Sequence, residues 1–506
     1  MQLRPYQIDT CDRIRAGWDE FSKQLIVLPT GAGKTIVSAF VAQEHVAVGM
    51  RVLFLAHREE LLLQTIDKFQ RAAGLRCELE KAEHHASREC QVVVGSVQTF
   101  MARGYNWDAD HFGLVIVDEA HHVMADSYRR VLDMFPNARL LGITATPDRA
   151  DCRNLGGVFQ NIAAEVQLFD LIRDGYLSPI TLKSIPLKID LNGVKSLAGD
   201  FAADDLGTRL EPMLGEIARA IALHASFRRV LCFLPLIATS QKFVAECRNV
   251  GLSAEHVDGM SSDRREKLDR FAAGEFDLLS NAMLLTEGFD DPGIDCVCVL
   301  RPTRSRPLYS QMVGRGTRIA PTKENLLLLD FLWMHQRHKL VRPSALIAHT
   351  DEEAESITQV AEEKSAGGPV EELELEGLAS EATAKREQAL AKKLAENKGK
   401  SATVLTAEEF ALQHHNMEAA EFEPVMEWER QAITEKQAWA LKRAKIDLQT
   451  VRGKGHASKL ISLIKSDQRV LLATPGQRYA MRKAGHPNWS HATVAEARQF
   501  FASLRK

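Results

Sequence analysis

Short apolar runs recur along the first 330 residues, at 24–28, 51–56, 91–94, 114–117 and 139–143, and again at 229–234, 254–257, 277–280, 295–300 and 325–330. They are too short for helices and lack the apolar–polar alternation of a sheet with one wet face. Such runs predict strands buried on both faces, the setting of a parallel sheet. Stretches of helical periodicity separate them, so the chain predicts an α/β protein with two doubly wound parallel-sheet domains in tandem. The first covers roughly residues 1–150. The second follows within 151–345, after a less regular crossover through 166–172 and the turn Gly175-Tyr176-Leu177-Ser178-Pro179.

Beyond residue 345 the pattern changes. Residues 351–405 are rich in Ala, Glu and Lys and are interrupted by Gly367-Gly368-Pro369, which predicts a partly helical, mobile connector rather than a packed domain. Two similar units then follow, Thr-Glu-Lys-Gln-Ala-Trp-Ala-Leu-Lys-Arg-Ala at 434–444 and Thr-Pro-Gly-Gln-Arg-Tyr-Ala-Met-Arg-Lys-Ala at 474–484. Each runs through a Gly- and His-bearing loop into a second helical pattern, at 457–464 and 494–504, giving a helical C-terminal module of duplicated hairpins. Trp439 and Tyr479 hold matching places and read as core residues rather than platforms for bases.

Charge sharpens the division. The whole chain carries a net −3, which by itself argues nothing about nucleic acid. Residues 351–429 hold 20 Asp and Glu against 7 Lys and Arg, whereas 430–506 hold 16 Lys and Arg against 4 Asp and Glu. An acidic connector over 346–429 therefore tethers a basic module over 430–506. That module suits the phosphates of duplex or forked DNA, with a protein-docking cap as the alternative. Eight cysteines are scattered without zinc spacing or a secreted-disulfide pattern. The opening Met1-Gln2-Leu3-Arg4-Pro5 lacks a signal's basic-then-apolar order, and no apolar run could span a bilayer. These features predict a cytoplasmic protein with no membrane partner.

Candidate chemistry gathers at the carboxyl ends of the strands, where open α/β sheets bind ligands. Run 24–28 ends in Leu28-Pro29-Thr30-Gly31-Ala32-Gly33-Lys34-Thr35, and a helical pattern starts at once. Strand, glycine turn and helix form the context of a phosphate-binding loop: glycines let backbone N–H groups converge, and the helix N-terminus adds partial positive charge. Lys34 would reach the β- and γ-phosphates of ATP, and the Thr35 hydroxyl would ligate magnesium. Leu28 stands where the pattern usually opens on glycine, and its side chain is expected to point away. Upstream, Gln7 offers one acceptor and two donors that fit an adenine edge. Run 114–117 delivers Asp118-Glu119-Ala120-His121, with Asp118 suited to magnesium, Glu119 to the attacking water and His121 to the γ-phosphate region. At two other strand ends Arg58, Gly95, Ser96, Gln98 and Thr99 suit a sugar–phosphate backbone, loop and capping roles being the plain alternative. The second domain has no phosphate loop. It carries Thr286-Glu287-Gly288-Phe289-Asp290 and Gln311-Met312-Val313-Gly314-Arg315-Gly316-Thr317-Arg318. Arg315 and Arg318, three apart on an expected helix, would share a face and enter the first domain's site as arginine fingers.

In this order, the motifs at Gln7, 29–35, 54–61, 95–99, 118–121, 144–147, 286–290 and 311–318 resemble those of the superfamily 2 DEAD/DEAH-box helicases and translocases, over about residues 1–345. The Asp-Glu-Ala-His box and the Leu-Arg-Pro-Tyr-Gln opening look most like bacterial and phage repair helicases and restriction-enzyme motors. The resemblance implies two tandem RecA-like domains. It implies that Pro29, Thr30, Gly31, Ala32, Gly33, Lys34, Thr35, Asp118, Glu119 and His121 bind and hydrolyse ATP with Mg2+, with Gln7 reading adenine. Arg315 and Arg318 would complete that site, and Gly288 and Asp290 would line the cleft. Thr144 and Thr146 would couple hydrolysis to strand binding, while Arg58, Gly95, Ser96, Gln98, Thr99 and Thr286 would touch nucleic acid. The implied activity is an ATP-dependent DNA helicase or translocase acting on forks, branches or duplexes in repair, replication or recombination. The alternatives are an RNA helicase and an ATP-gated clamp or docking subunit, with 346–506 as the place for protein partners. Some repair relatives carry a cysteine zinc module near the C-terminus; here no cysteine follows Cys298.

Overall fold

Strands whose every residue is apolar can be covered on both sides, and that is how the buried runs are used. The computed structural model describes residues 2–470, except 57–58, 146–154, 186–193, 198–199, 283, 287–288, 332–339, 349–350, 366–371, 386–404, 415, 421 and 425, and beyond 470 only Met481 and Ala484. The chain divides into two units, residues 1–392 and 393–506.

Within the first unit, β1 (Lys23–Val27), β2 (Val52–Ala56), β3 (Cys77–Glu80), β4 (Val92–Ser96), β5 (Leu114–Asp118), β6 (Arg139–Thr144) and β7 (Asn161–Glu165) form one sheet in the order β3-β4-β2-β5-β6-β1-β7. All its pairings are parallel. Successive residues enter opposite cores: Ile26, Phe54, Val94 and Ile116 join one cluster, and Leu25, Leu55, Val93 and Val115 the other. Register fixes the site. Val27 pairs with Thr144 and Asp118 with Ile143, so the carboxyl ends of β1 and β5 emerge on either side of β6.

The second sheet takes β8 (Ile180–Ser184) and, after a short antiparallel ribbon of β9 (Ser196–Leu197) and β10 (Asp200–Phe201), β11 (Val230–Phe233), β12 (Ala254–Val257), β13 (Leu278–Asn281), β14 (Cys296–Val299), β15 (Leu326–Asp330) and β16 (Glu372–Glu374). Its order is β12-β13-β11-β14-β15-β8-β16, parallel except for β16. The apolar runs predicted ten strands. Each sheet has two more, and the first continues past residue 150 to Glu165. β3 (Cys-Glu-Leu-Glu), β7 and β16 are edges, exposed on one side, and therefore lack a solid apolar run.

The expectation of an unpacked connector from residue 351 is corrected over 351–385. Helix Asp351–Ser365 and the helical stretch 375–385 bury Ile357, Val360, Leu375, Leu378, Ala379 and Ala382 in the same cluster as the sheets, and β16 pairs with β8 between them. Positions 375, 378, 379 and 382 make one helical face, a narrow stripe of Leu and Ala that glutamate-rich composition conceals.

The second unit contains helices Ala407–Gln413, Met417–Ala420, Glu427–Arg430, Glu435–Arg443 and Gly453–Val470. Thr434 caps Glu435–Arg443, its Oγ1 accepting from Gln437 N at 3.2 Å while Gln437 Oε1 accepts from Thr434 N at 3.0 Å, a reciprocal capping box. The second hairpin lies outside the described residues apart from Met481 and Ala484, and so does Tyr479. Trp439 overturns the core reading: it is 64% exposed. Leu441, about 200° further round the helix, fills the inward position instead. Among the described residues no helix is long and apolar enough to cross a membrane.

Candidate active site

Leu28 is fully buried in the sheet core, so its side chain points away from the loop as expected. The following turn places Gly31 at φ +88° and Gly33 at φ +81°, the left-handed region that a phosphate loop needs and that side chains resist. A Cβ on Gly33 would also lie 2.5 Å from Gln7 Nε2. Gln7 is packed onto the loop: Nε2 donates to Ala32 O at 3.0 Å and Oε1 accepts from Arg4 N at 3.0 Å. Tyr6, which motif reading passed over, donates its hydroxyl to the same Ala32 carbonyl at 2.8 Å. Its ring lies 5.0 Å from that of Tyr176, tying the opening helix to the crossover turn.

Glu119 is the centre. Its Oε1 lies 3.3 Å from Lys34 Nζ, with only 14% of the lysine side chain and 9% of the glutamate side chain exposed. Asp118 Oδ1 accepts from Glu119 N at 3.0 Å, and His121 Nδ1 lies 3.5 Å from Glu119 Oε2. Burial pushes the Glu119 pKa up, but Lys34, His121 and Arg315 outweigh it and hold the carboxyl below the ordinary glutamate range, ionised. The backbone of Glu119 sits at φ +49°, a left-handed conformation that costs a non-glycine residue about 1–3 kcal/mol. Gln311, from the second domain, donates Nε2 to Glu119 Oε2 at 3.4 Å. Gln311 opens the 311–318 motif, whose sequence carries no sign of this partner.

The two arginines do not share a helical face. Helix Arg306–Gly314 ends at Gly314, and Arg315 to Arg318 form the turn beyond it. The helix stops because Thr317 Oγ1 donates back to Gly314 O at 3.0 Å, satisfying an end carbonyl. This turn lies against the phosphate loop: a Cβ on Gly314 would come within 2.5 Å of Thr30 Cβ, and Thr30 O lies 3.5 Å from Thr317 Oγ1. Arg315 Nη1 donates to Phe289 O at 2.8 Å. Arg318 Nη1 pairs with Asp290 Oδ1 at 2.8 Å, while Asp290 Oδ2 meets Lys68 Nζ of the first domain at 3.1 Å. Burial alone would raise the Asp290 pKa; Arg318, Lys68 and Arg315 bring it down.

Lys323 holds the arginine turn from behind. Its Nζ donates to the carbonyls of Ile294 (2.6 Å), Gly316 and Arg318 (2.8 Å), and burial pushes its pKa down to about 8. Neutral lysine has two N–H donors for these three acceptors, so the ATPase rate is expected to fall as pH rises through about 8. Folding stability moves the other way. Between that value and the ordinary lysine pKa of about 10.4, the unfolded chain keeps a proton the folded chain has lost, so stability rises with pH. Lys323→Met should lower kcat on the order of 10²-fold by misplacing the turn. Rate profiles from pH 7 to 9.5 check this, because the alkaline limb should vanish in the variant.

Of the candidate nucleic-acid contacts, Ser96 caps helix Val97–Arg103 by accepting from Thr99 N at 3.2 Å, and its Oγ lies 2.8 Å from Thr99 Oγ1. These two hydroxyls thus fill the capping role. Gly95 packs against the Phe100 ring, and Gln98 is exposed. Thr144 is buried, and among the described residues its hydroxyl has no hydrogen-bond partner. Arg58, Thr146, Gly288 and the Thr286 side chain lie outside the described part.

The arrangement fits a nucleoside triphosphate with magnesium. The glycine cradle and Lys34 suit phosphates, and the Thr35 hydroxyl and Asp118 carboxylate are the oxygen donors a hard cation takes. Two family models match the chain: "Type III restriction enzyme, res subunit" over residues 1–149 and "Helicase conserved C-terminal domain" over 213–320. IRC3 of Saccharomyces cerevisiae, ascribed ATP-dependent helicase activity, is 30% identical over 373 residues, which span 69% of this chain and 54% of IRC3. Rad25 of Haloarcula marismortui, ascribed DNA 3'-5' helicase activity, is 27% identical over 385 residues, spanning 71% of this chain and 58% of Rad25. The chain thus covers little more than half the length of these relatives. A Vibrio vulnificus fragment ascribed to the HsdR subunit of a type I restriction enzyme shares the fold, with a TM-score of 0.54 and 22% identity over 65% of this chain and 64% of the fragment.

Proposed function

We propose that this chain, which belongs to superfamily 2 of the helicases and translocases, couples ATP hydrolysis to movement along, or remodelling of, DNA. One observation carries the reading: the ionised Glu119 is met by Lys34 from its own domain and by Gln311 from the other, with Arg315 near enough to lower its pKa. A triphosphate in this cleft would lie between Lys34 and the arginine turn. Thr35 and Asp118 would hold magnesium, which when bound neutralises charge on the β- and γ-phosphates. Glu119 would then orient the attacking water and accept its proton, with His121 beside it. Arg315 and Arg318 would leave Phe289 O and Asp290 for the γ-phosphate as its charge develops. Gln7 keeps one amide proton and one lone pair beyond its two bonds, enough for an adenine edge.

Phosphate release removes the anion that draws the two domains together, so the cleft reopens; if each domain holds the same strand, repetition gives stepwise movement. Thr144 and Thr146 would link the site to strand-gripping loops, with Arg58, Gly95, Gln98 and Thr286 toward the backbone, and Ser96 and Thr99 shaping that loop. Gly288 and Asp290 would line the cleft. The archaeal relative's name and the basic 430–506 segment support DNA as the substrate. Magnesium-dependent ATPase rates measured alone, with forked DNA, with duplex and with single-stranded RNA test this. Stimulation by DNA is expected. Stimulation by RNA alone would make it an RNA motor, and indifference to both would favour a clamp or docking subunit. Roles in repair, replication or recombination, and a cytoplasmic site of action, belong to the same proposal.

A further inference from the structure

Trp439 breaks the rule that large apolar side chains on a short helix face inward. It is 64% exposed, and its helical neighbours at −3, +3 and +4 are the exposed cations Lys436, Lys442 and Arg443. The Arg443 guanidinium lies 5.4 Å from the centre of the indole, a cation–π contact that covers one ring face. The inner face of the same helix is anchored: Leu441 is fully buried, and Gln437 Nε2 donates to Lys454 O at 3.1 Å and Ser458 Oγ at 2.9 Å. Trp439 is therefore presented on a held helix.

The sequence repeats this arrangement. Trp439-Ala440-Leu441-Lys442-Arg443 corresponds to Tyr479-Ala480-Met481-Arg482-Lys483, and Met481 is fully buried as Leu441 is. Packing explains why an apolar residue recurs at the Leu441 position. It does not explain why an aromatic recurs two residues before it and a basic pair directly after it. A flat ring within one helical turn of three cations and one carboxylate, Glu435 at −4, in a segment of 16 basic against 4 acidic residues, matches a polyanion with planar groups. Paired bases are stacked inside a duplex and cannot reach such a ring, whereas unpaired ones can.

We propose that Lys436, Trp439, Lys442 and Arg443 form a contact for single-stranded DNA, in which one base stacks on the indole face opposite Arg443 and the cations hold the adjoining phosphates. The proposal rests on the reading of the chain as a DNA-acting motor, and its test is separable from it. Binding of a fluorescein-labelled 20-nucleotide single strand and of a blunt 20-base-pair duplex would be measured by anisotropy with the full chain, without nucleotide. Trp439→Ala should weaken single-strand binding by roughly 5- to 150-fold, the range for losing one stacked base, and change duplex binding less than twofold. Trp439→Phe should retain most of the affinity, and the unchanged duplex binding of Trp439→Ala excludes a folding defect as the cause. Lys442→Gln with Arg443→Gln should weaken both ligands and flatten their salt dependence. Unchanged single-strand binding in Trp439→Ala, or equal losses on both ligands, overturns the proposal, as does an unlabelled acidic peptide displacing the strand at lower concentration than unlabelled single strand. Failure of DNA to stimulate the wild-type ATPase would instead sink the reading of the chain as a DNA-acting motor.

Discussion

Glu119→Gln is expected to lower the steady-state ATPase rate by roughly 10³-fold, within the span that a positioned general base contributes, while ATP affinity should change only a few-fold. Glutamine keeps the volume, its oxygen can still accept from Lys34 and its NH2 can donate to the Gln311 amide oxygen once that amide turns over, but it cannot accept a proton from water. Lys34→Ala should be equally inactive for a different reason, and less stable. It would remove the cation proposed to meet the phosphates, and it deprives the buried Glu119 carboxylate of its partner at 3.3 Å. Breaking a buried pair on one side typically costs about 3–5 kcal/mol, here softened because His121 and Arg315 still lower the Glu119 pKa. Turnover, ATP titration and thermal melting separate the two variants. If Glu119→Gln kept a tenth of the wild-type rate, the water-activating role would have to pass to another group.

The tandem parallel sheets were legible because their central strands are buried on both faces and leave unbroken aliphatic runs. The edges were not. β3, β7 and β16 each meet solvent, so their sequences mix charge with apolar residues and resemble loops. The packing of 351–385 was hidden for a related reason: two short helices need only Ile357, Val360, Leu375 and Leu378 inward, and their outer faces set the composition. Conversely, Trp439 was misread because bulk and hydrophobicity usually go inward together, and Leu441 had already taken that place.

At the site, the candidate residues stood out by type and spacing, and their long-range partnership did not. The glycine turn, Lys34 and the Asp118-Glu119 pair announce themselves by type and spacing. The contacts of Tyr6 with Ala32, Gln311 with Glu119, Lys68 with Asp290 and Lys323 with the arginine turn join residues far apart in the chain. No spacing rule reaches them. The helix end at Gly314 had a readable sign in the Gly-Arg-Gly-Thr order, since glycines weaken the last turn and a hydroxyl can take its carbonyl. Arg315 and Arg318 therefore lie beyond the helix and not on one helical face.

Arg315→Ala is expected to lower kcat by about 10³-fold or more, the scale of an arginine finger, with the apparent KM for ATP moving far less. On the proposed reading the charge would be needed as the γ-phosphate departs, not for capture, because Lys34 and the glycine cradle would bind the ground state from the other domain. Gly314→Ala gives a different signature from the neighbouring position. Its Cβ would come within 2.5 Å of Thr30 Cβ, so the turn and the phosphate loop cannot approach as closely, although every charged group remains. Each ATP-bound closure then carries a steric penalty, so kcat falls and KM rises together. A distinction follows from using both variants: Arg315→Ala should still compact on adding a non-hydrolysable ATP analogue, measured by small-angle scattering, whereas Gly314→Ala should not. Equal compaction by both would mean that contact between Gly314 and Thr30 is incidental to the cycle, and that the arginines alone, rather than the fit of the two surfaces, decide when the cleft is competent.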